Sequence, residues 1–411
     1  MEQPVTTSYT ARPRRRALLA AAALAAAGAL TLTACGGDAD ANDDGKNGKG
    51  KDGADGLAIT ISAKDGSTGA SINATGVKAE GGKLTDVKMT LVSTGAAVDG
   101  TLSSDGSSWK PKAQLERGMK YRITANAEDA KGKEATENSI FTTVSEANSF
   151  IGSYTPDGGT KVGVGMPVSF TFDKAITEKQ DVQSHIKVTS DSGQKVVGHW
   201  FGDNRLDFRP EEYWKAGSKV TMKIDLEGVK GAEGATGVQN KTVSFTIGRA
   251  QVSTVDVQAK KMTVERDGKV VKTIPISAGS PSNPTYNGQM VISEKFTQTR
   301  MNGDTVGFGG EYDIKDVPHA MRLSSSGTFI HGNYWGSPSI FGSANTSHGC
   351  VGLQDAQGAG DSSTQGAWFY DNSLIGDVVT VKGSPDKTVS PDNGLNGWNM
   401  SWSEWTAGSA G

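Results

Sequence analysis

Alternating hydrophobic and polar positions run through most of the chain after residue 57. Between residues 57 and 147, short runs such as LAITISA, VKMTLVS and YRITANAED are separated by glycine and aspartate turns. The same arrangement returns between residues 148 and 248, in PVSFTFD, KVTMKIDL and KTVSFTIG. Alternation with a period of two gives each strand one core face and one solvent face. The pattern therefore predicts a mainly β chain that begins with two immunoglobulin-like β-sandwiches in tandem.

The pattern changes at residue 249. A hairpin is predicted at Asp267-Gly268, and later strands such as GTFIHG and DVVTVKG alternate with loops rich in Gly, Ser, Pro and Asn. The segment STQGAWFYDNSLI predicts a short helix. We therefore predict a third, β-rich domain over residues 249–384. The last segment, 385–411, holds three tryptophans among polar residues, and we expect it to pack on that third domain.

The first 34 residues predict an export signal, because RPRRR precedes a long run of Ala and Leu that ends in small residues. The segment 32–35 resembles a bacterial lipobox, in which Cys35 is lipidated after cleavage; an ordinary secretory signal with an incidental cysteine is the alternative. Residues 35–56 are polar and glycine-rich, which predicts a flexible linker. We expect an exported protein, lipid-anchored at Cys35 to the outer face of the cytoplasmic membrane and reaching the cell wall.

Charge and composition exclude some partners. The formal net charge is −3, and it becomes more negative once the arginine-rich signal is removed, so no nucleic-acid partner is expected. No cofactor is indicated either. A metal site is disfavoured because Cys350, His331 and His348 lack a fourth ligand with a recognisable spacing.

Cys350, in the stretch NTSHGCVGLQ, is the only cysteine beyond residue 35. A thiol attacks as thiolate, so a nucleophilic cysteine needs a neighbouring base. His331 is the first candidate, at the end of a predicted strand, and His348 is the second. Glycines around the cysteine permit a sharp turn with converging backbone N–H groups, as an oxyanion hole requires. The residues favour a nucleophile and leave a structural thiol or a metal ligand open.

Several motifs in order resemble the L,D-transpeptidase (YkuD-type) catalytic domain. They are His331, fifteen further residues and then SHGC, together with TRMNGD, YDIKDVP, FIHGNYW and AWFYDNSLIGDVVTVKG. The resemblance covers residues 249 to about 405. The whole chain, with its lipobox, two immunoglobulin-like domains, catalytic domain and Trp-rich tail, is similar to actinobacterial members of that family.

The resemblance implies a specific reaction. Cys350 would attack the carbonyl of the third residue of a peptidoglycan tetrapeptide stem, expel the terminal D-Ala and then pass the acyl group to an amine of a neighbouring stem, forming a 3-3 cross-link. His331 would be the general base, and the backbone carbonyl of Gly332 the third member of the triad. Carbapenem β-lactams would be covalent inhibitors.

The resemblance also assigns roles to other positions. His348 and Gly349 would shape the catalytic loop, and an oxyanion hole would combine Cys350, Gly349 and Tyr312. Substrate contacts are expected from Met301, Tyr312, Trp335, Ser347, His348 and Gly349. Gly352 departs from the family pattern, which usually has Asn or Arg there. The glycine-rich segment MNGDTVGFGGEYD has the composition of a lid.

Two other functions remain open at this stage. Another thiol acyltransferase or hydrolase, sortase-like or papain-like, would also need the cysteine, but neither Arg300 nor Arg322 lies in the context that a sortase arginine would have. A non-catalytic wall-binding lipoprotein would explain residues 57–248 and leave His331 and Cys350 unexplained. Under the transpeptidase hypothesis the two sandwiches serve as spacers.

Overall fold

The computed structural model of the chain describes residues 56–306 and 309–411. The predicted signal peptide, Cys35 and the linker up to residue 55 lie outside the described residues. Within the described ranges, no helix has the length and apolar character needed to cross a membrane.

Two four-stranded sheets form the first sandwich, in the orders β1-β3-β6-β5 and β2-β8-β7-β4. Its strands are β1 (Ala58–Ile61), β2 (Thr68–Ala70), β3 (Val77–Glu80), β4 (Lys83–Leu91), β5 (Gly100–Leu102), β6 (Ser108–Pro111), β7 (Lys120–Glu128) and β8 (Glu134–Thr143). Alternate residues of β7 are buried, Ile123 and Ala125 completely. They pack with Trp109 and Phe141 in one core. The hydrophobic positions of the alternating sequence therefore form the inner face of the sheet.

The second sandwich is built in the same way. Its elements are β9 (Ser149–Phe150), β10 (Gly152–Thr155), β11 (Lys161–Val162), β12 (Val168–Phe172), α1 (Lys179–Ser184), β13 (Ile186–Ser190), β14 (Val196–Phe201), β15 (Arg205–Pro210), β16 (Lys219–Asp225), β17 (Lys230–Ala232), β18 (Ala235–Gly237) and β19 (Asn240–Ile247). The sheets β10-β12-β15-β14 and β11-β19-β16-β13 enclose the core, which includes Phe170, Leu206 and Trp214. The predicted fold class is confirmed.

The third domain is organised around a nine-stranded sheet in the order β23-β28-β20-β21-β22-β27-β26-β25-β24. Its elements are β20 (Gln251–Asp256), β21 (Lys261–Arg266), β22 (Lys269–Ser277), β23 (Gly288–Val291), β24 (Glu294–Asn302), β25 (Asp313–Arg322), β26 (Phe329–Asn333), β27 (Val351–Gln354), α2 (Gln365–Asp371) and β28 (Val378–Lys382). Asp267 and Gly268 both have positive φ, 50° and 77°, as the predicted two-residue hairpin between β21 and β22 requires. The Thr364 hydroxyl accepts from the Ala367 N–H and so caps the predicted helix.

The second sandwich is joined closely to the third domain. Backbone N–H groups of Gly163 and Gly165 donate to the carbonyls of Ile375 (2.8 Å) and Gly376 (2.9 Å). A Cβ at either glycine would collide with the facing segment. Within the third domain, Arg249 at the domain boundary pairs with the buried Asp377, which follows these carbonyls, Nη2 to Oδ2, at 2.9 Å. Since backbone contacts of this kind need a fixed arrangement, the second sandwich is more than the spacer that the sequence predicts.

The Trp-rich tail corrects one expectation. It contains α3 (Trp402–Ala407), and its tryptophans contact the second sandwich, whereas we expected them on the third domain. Trp405 is fully buried, stacks on His199 with ring centroids 4.8 Å apart, and donates to the Val197 carbonyl at 3.0 Å. The cause is Arg209, a buried cation that lies 4.4–5.4 Å from the rings of all three tail tryptophans.

The tail still contacts the third domain through its asparagines. The side-chain oxygen of Asn396 accepts from the Val291 N–H at 3.0 Å, and that of Asn399 accepts from the Gln289 N–H at 2.8 Å. Val389 joins the hydrophobic core of that domain. The tail therefore bridges two domains. Short 3-10 helices complete the described elements, at Glu146–Asn148, Gly303–Val306, Pro338–Ile340, Gln357–Ala359 and Gly397–Asn399.

Candidate active site

The two residues singled out for chemistry lie on neighbouring parallel strands. His331 is on β26, and Cys350 directly precedes β27. The strands pair in the register Ile330 with Val351 and His331 with Gly352. Parallel pairing of segments separated by a long loop therefore brings His331 and Cys350 into one cavity, although neither position predicts the other locally.

His331 is buried and held in one orientation. Its Nδ1 lies 2.8 Å from the carbonyl oxygen of Gly332. Because a carbonyl only accepts, Nδ1 carries the proton and Nε2 is left as the basic atom. The Trp335 ring lies nearly parallel to the imidazole, with centroids 5.6 Å apart. Burial lowers the pKa of His331 from its ordinary value, so the imidazole is neutral and able to accept a proton.

Cys350 is a partly exposed residue whose sulfur faces an apolar wall. It packs against the small cluster formed by Val317, Ala320 and Phe329. Its Sγ lies 3.6 Å from the carbonyl oxygen of Gly327. Burial raises the pKa of the thiol to about 11. The resting group is therefore a neutral thiol, and it becomes a nucleophile only when a base removes its proton.

The loop before Cys350 is held by Ser347. Its hydroxyl donates to the Cys350 carbonyl at 2.5 Å and accepts from the Gly349 N–H at 3.2 Å. The N–H of Gly349 is therefore used within the loop, which corrects the expectation that it forms part of an oxyanion hole. Gly349 has a φ of 108°, a conformation that only glycine adopts readily, so its contribution is to the loop backbone.

A cavity of about 170 Å³ surrounds the pair. It is lined by Met301, Tyr312, Ile314, His331, Asn333, Trp335, Thr346, Ser347, His348 and Cys350. All the expected substrate contacts except Gly349 are in this lining. Ile314, Asn333 and Thr346 were not anticipated. For Asn333 a signal existed, since residues two apart on a strand share a face and His331 is two residues earlier.

Tyr312 and His348 form the rim of the cavity. Their rings are 5.1 Å apart. Burial, with the nearby Cys350 as a smaller cause, raises the pKa of Tyr312 to about 12, so its hydroxyl stays protonated and able to donate. His348 Nε2 lies 3.0 Å from Glu311 Oε2. That contact turns the imidazole toward the rim, so His331 is the better candidate for the base.

Gly352 lies beside His331 in the ladder and faces Asn333. A Cβ at Gly352 would stand 3.4 Å from the Ser277 carbonyl oxygen and 3.5 Å from Asn333 Nδ2, which are ordinary contact distances. The surrounding backbone therefore does not exclude a side chain at position 352.

No group of three or more His, Cys, Asp or Glu side chains in the described parts of the chain is arranged to hold an ion.

Comparison with known proteins agrees with this architecture. A family model described as the L,D-transpeptidase catalytic domain matches residues 250–381, and one described as a bacterial Ig domain matches residues 67–230. The fold and site thus define a β-rich transferase domain that follows immunoglobulin-like domains.

The chain is 34% identical over 356 residues to L,D-transpeptidase 2 of Mycobacterium tuberculosis, covering 86% of this chain and 85% of that protein. It is 29% identical to L,D-transpeptidase 5 of the same species, covering 77% and 69%. The solved structure of LD transpeptidase LdtMt1 in complex with imipenem is 29% identical, covers 56% of this chain and 97% of that one, and has a TM-score of 0.47. The chain belongs to the L,D-transpeptidase family.

Proposed function

We propose that the protein is a peptidoglycan L,D-transpeptidase whose nucleophile is Cys350. The observation that carries the proposal is the joint placement of a neutral thiol and an oriented, neutral imidazole in one cavity lined by the expected substrate contacts. Family membership supports the class of reaction. The donor is the tetrapeptide stem, the leaving group is its terminal D-Ala, and the product is a 3-3 cross-link.

Acylation is the first half of the reaction. His331 Nε2 takes the thiol proton while Sγ attacks the carbonyl carbon of the third stem residue. The bond from that carbon to the D-Ala nitrogen then breaks, and the proton held by His331 passes to the leaving amine. A thioester on Cys350 remains. The Gly332 carbonyl accepts from Nδ1 throughout and so stabilises the imidazolium that forms.

Transfer reverses these roles. The amine of a neighbouring stem attacks the thioester, His331 removes its proton, and the sulfur leaves as thiolate and is reprotonated. We propose two donors for the oxyanion in both halves. The N–H of Cys350 donates to no group in the described chain, and the Tyr312 hydroxyl lines the same cavity.

We further propose that carbapenems acylate Cys350, because their strained amide offers the same kind of carbonyl to the thiol. The imipenem complex of a relative supports this. The expected signal peptide and lipidation at Cys35 would anchor the protein at the outer face of the cytoplasmic membrane. There the acceptor and donor stems of the cell wall are within reach.

Intact-mass measurement after incubation with a carbapenem tests the nucleophile. We expect a single covalent adduct on the wild-type protein, mapped by peptide sequencing to Cys350, and none on the Cys350→Ala variant. Thermal unfolding of both proteins serves as the control for folding. An adduct on the variant, or none on a folded wild-type protein, would contradict the proposal.

A further inference from the structure

Behind the catalytic pair lies a buried carboxylate that the mechanism above does not use. Asp355 directly follows β27, so that Cys350 and Asp355 stand at the two ends of one strand. Its side chain is completely buried. A buried carboxylate is costly unless it is bonded, so its partners indicate what holds it there.

Three groups from different parts of the domain hold the carboxylate. His319 Nδ1, on β25, lies 2.8 Å from Oδ2. The Ala356 N–H and the Thr364 hydroxyl both donate to Oδ1, each at 2.8 Å. Since Thr364 is also the cap of α2, the carboxylate connects that helix with β27, the strand that begins directly after Cys350.

The carboxylate lies directly against the backbone that orients the base. A Cβ added to Gly332 would collide with Asp355 Oδ2, and so would one added to Gly366 in α2. Both positions therefore require glycine for the same reason. Gly332 is also the residue whose carbonyl accepts from His331 Nδ1. From the sequence, Gly332 was expected to contribute only its backbone carbonyl to the triad. The structure adds a steric reason why this residue is a glycine.

His319 is held in an unusual conformation. Its φ is 48°, in the left-handed region, which is uncommon for a residue other than glycine. Backbone strain of this kind is kept where surrounding contacts demand it, often at functional sites. Here the demand is the contact with Asp355, since the imidazole is buried together with the carboxylate.

We propose that Asp355 is a positioning residue: its fixed carboxylate holds the Gly332 peptide in place and favours the protonated form of His331 during acyl transfer. The inference rests on the proposed role of His331 as general base. A negative charge behind the imidazole opposes the cost of creating a buried imidazolium. Burial is the largest influence on the pKa of His331 and lowers it, while the charge of Asp355 acts in the opposite direction, consistent with this role.

Several other titratable groups surround this arrangement. On α2, Tyr370 has its ring 5.1 Å from that of His319. On β24, Lys295 places its ammonium 4.2 Å from the Tyr370 ring centroid. The cavity in front of His331 is also lined by the Cys350 thiol, Tyr312 and His348, and the uncharged ring of Trp335 stacks on the imidazole. Asp355 is the acidic group placed behind Gly332.

The pH profile of Cys350 acylation by a carbapenem, measured on the full chain, tests the proposal. Asp355→Asn keeps the shape and removes the charge. We expect the plateau rate to fall by about 10- to 100-fold, the range typical of outer partners that orient a functional histidine. We also expect the acid limb to move to lower pH, because His331 loses the charge that favours its protonation.

Two matched variants separate charge from packing. His319→Gln keeps a donor to the carboxylate and keeps its charge, so its acid limb should stay at the wild-type position. Asp316→Asn removes a carboxylate that accepts instead from Tyr334 and Gln357, and its profile should also be unchanged. If Asp355→Asn does not fold, Asp355→Ser replaces it, since the smaller side chain also removes the charge and should move the acid limb in the same direction.

Each outcome has a distinct meaning. An Asp355→Asn protein with the wild-type rate and acid limb would overturn the positioning role while leaving the proposed function intact. A loss of rate with an unmoved limb would show a purely structural role and would overturn it as well. An equal shift in Asp316→Asn would assign the effect to overall charge. Absence of any adduct on the wild-type protein would instead refute the proposed function.

Discussion

Removing the Trp405 side chain tests whether the tail fastens the second sandwich to the catalytic domain. Trp405 is fully buried, stacks on His199 and donates to the Val197 carbonyl. Burial of a tryptophan removes about 200 Å² from water, which is worth about 5 kcal/mol at roughly 25 cal/mol per Å². Measured substitutions of buried aromatic residues by alanine cost roughly 3–5 kcal/mol. We therefore expect Trp405→Ala to lower the free energy of unfolding by about 4 kcal/mol.

The assay is guanidinium denaturation of the full chain, followed by tryptophan fluorescence and by protease cleavage of the tail. Trp402→Ala is the matched control, because Trp402 is only partly buried and its recorded ring contact is with Arg209 at 5.4 Å. Its loss should cost about 1 kcal/mol, the scale of a partly exposed cation–π contact. A Trp405→Ala change below about 1 kcal/mol, or one equal to that of Trp402→Ala, would refute the interpretation of the tail as a fastener.

Three further outcomes follow from the same contacts. Asn333→Ala should raise KM for a stem peptide several-fold with little change in kcat, because its amide lines the cavity beside Gly352; unchanged kinetics would exclude that role. The free energy of unfolding should fall as the pH drops below about 6.5, because burial lowers the pKa of His331 in the folded protein and the unfolded chain binds the proton first. The His331→Asn variant should lack this part of the pH dependence. An unchanged slope in that variant would count against a neutral buried imidazole. Deleting residues 57–147 should leave carbapenem acylation unchanged. Deleting residues 57–248 should prevent the catalytic domain from folding, because the contacts of Gly163 and Gly165 with that domain are lost. Full activity of the protein that lacks residues 57–248 would contradict this expectation.

Local patterns were sufficient to predict much of the fold. Period-two alternation identified the strands of both sandwiches, and Asp267-Gly268 identified the hairpin, because these signals depend on neighbours in sequence. Seven of the ten cavity residues were predicted, from the resemblance to a family whose motifs occur in a distinctive order. The hydrogen-bond partner of the Gly349 N–H was not predictable from the sequence. It donates to the Ser347 hydroxyl, because that hydroxyl lies against the backbone of the same loop.

The remaining features depend on contacts between distant segments. Nothing near Trp405 in the sequence indicates Arg209, and the cation lies on a strand almost 200 residues earlier. The same is true of Asp355, whose partner His319 is separated from it by 36 positions. Gly332 could be identified as a main-chain position, but the carboxylate that excludes a side chain there becomes visible only when β25, β26 and α2 are assembled.

The central claim, that Cys350 carries an acyl group from a stem peptide to an amine, is tested most directly by mass spectrometry. The protein is incubated with a defined tetrapeptide stem, first alone and then with an amine acceptor. We predict an adduct on Cys350 equal to the stem without its terminal D-Ala, release of free D-Ala, and conversion of the adduct to a cross-linked product when the acceptor is added. An adduct that retains D-Ala, or a cross-linked product formed equally by the Cys350→Ala variant, would contradict the account.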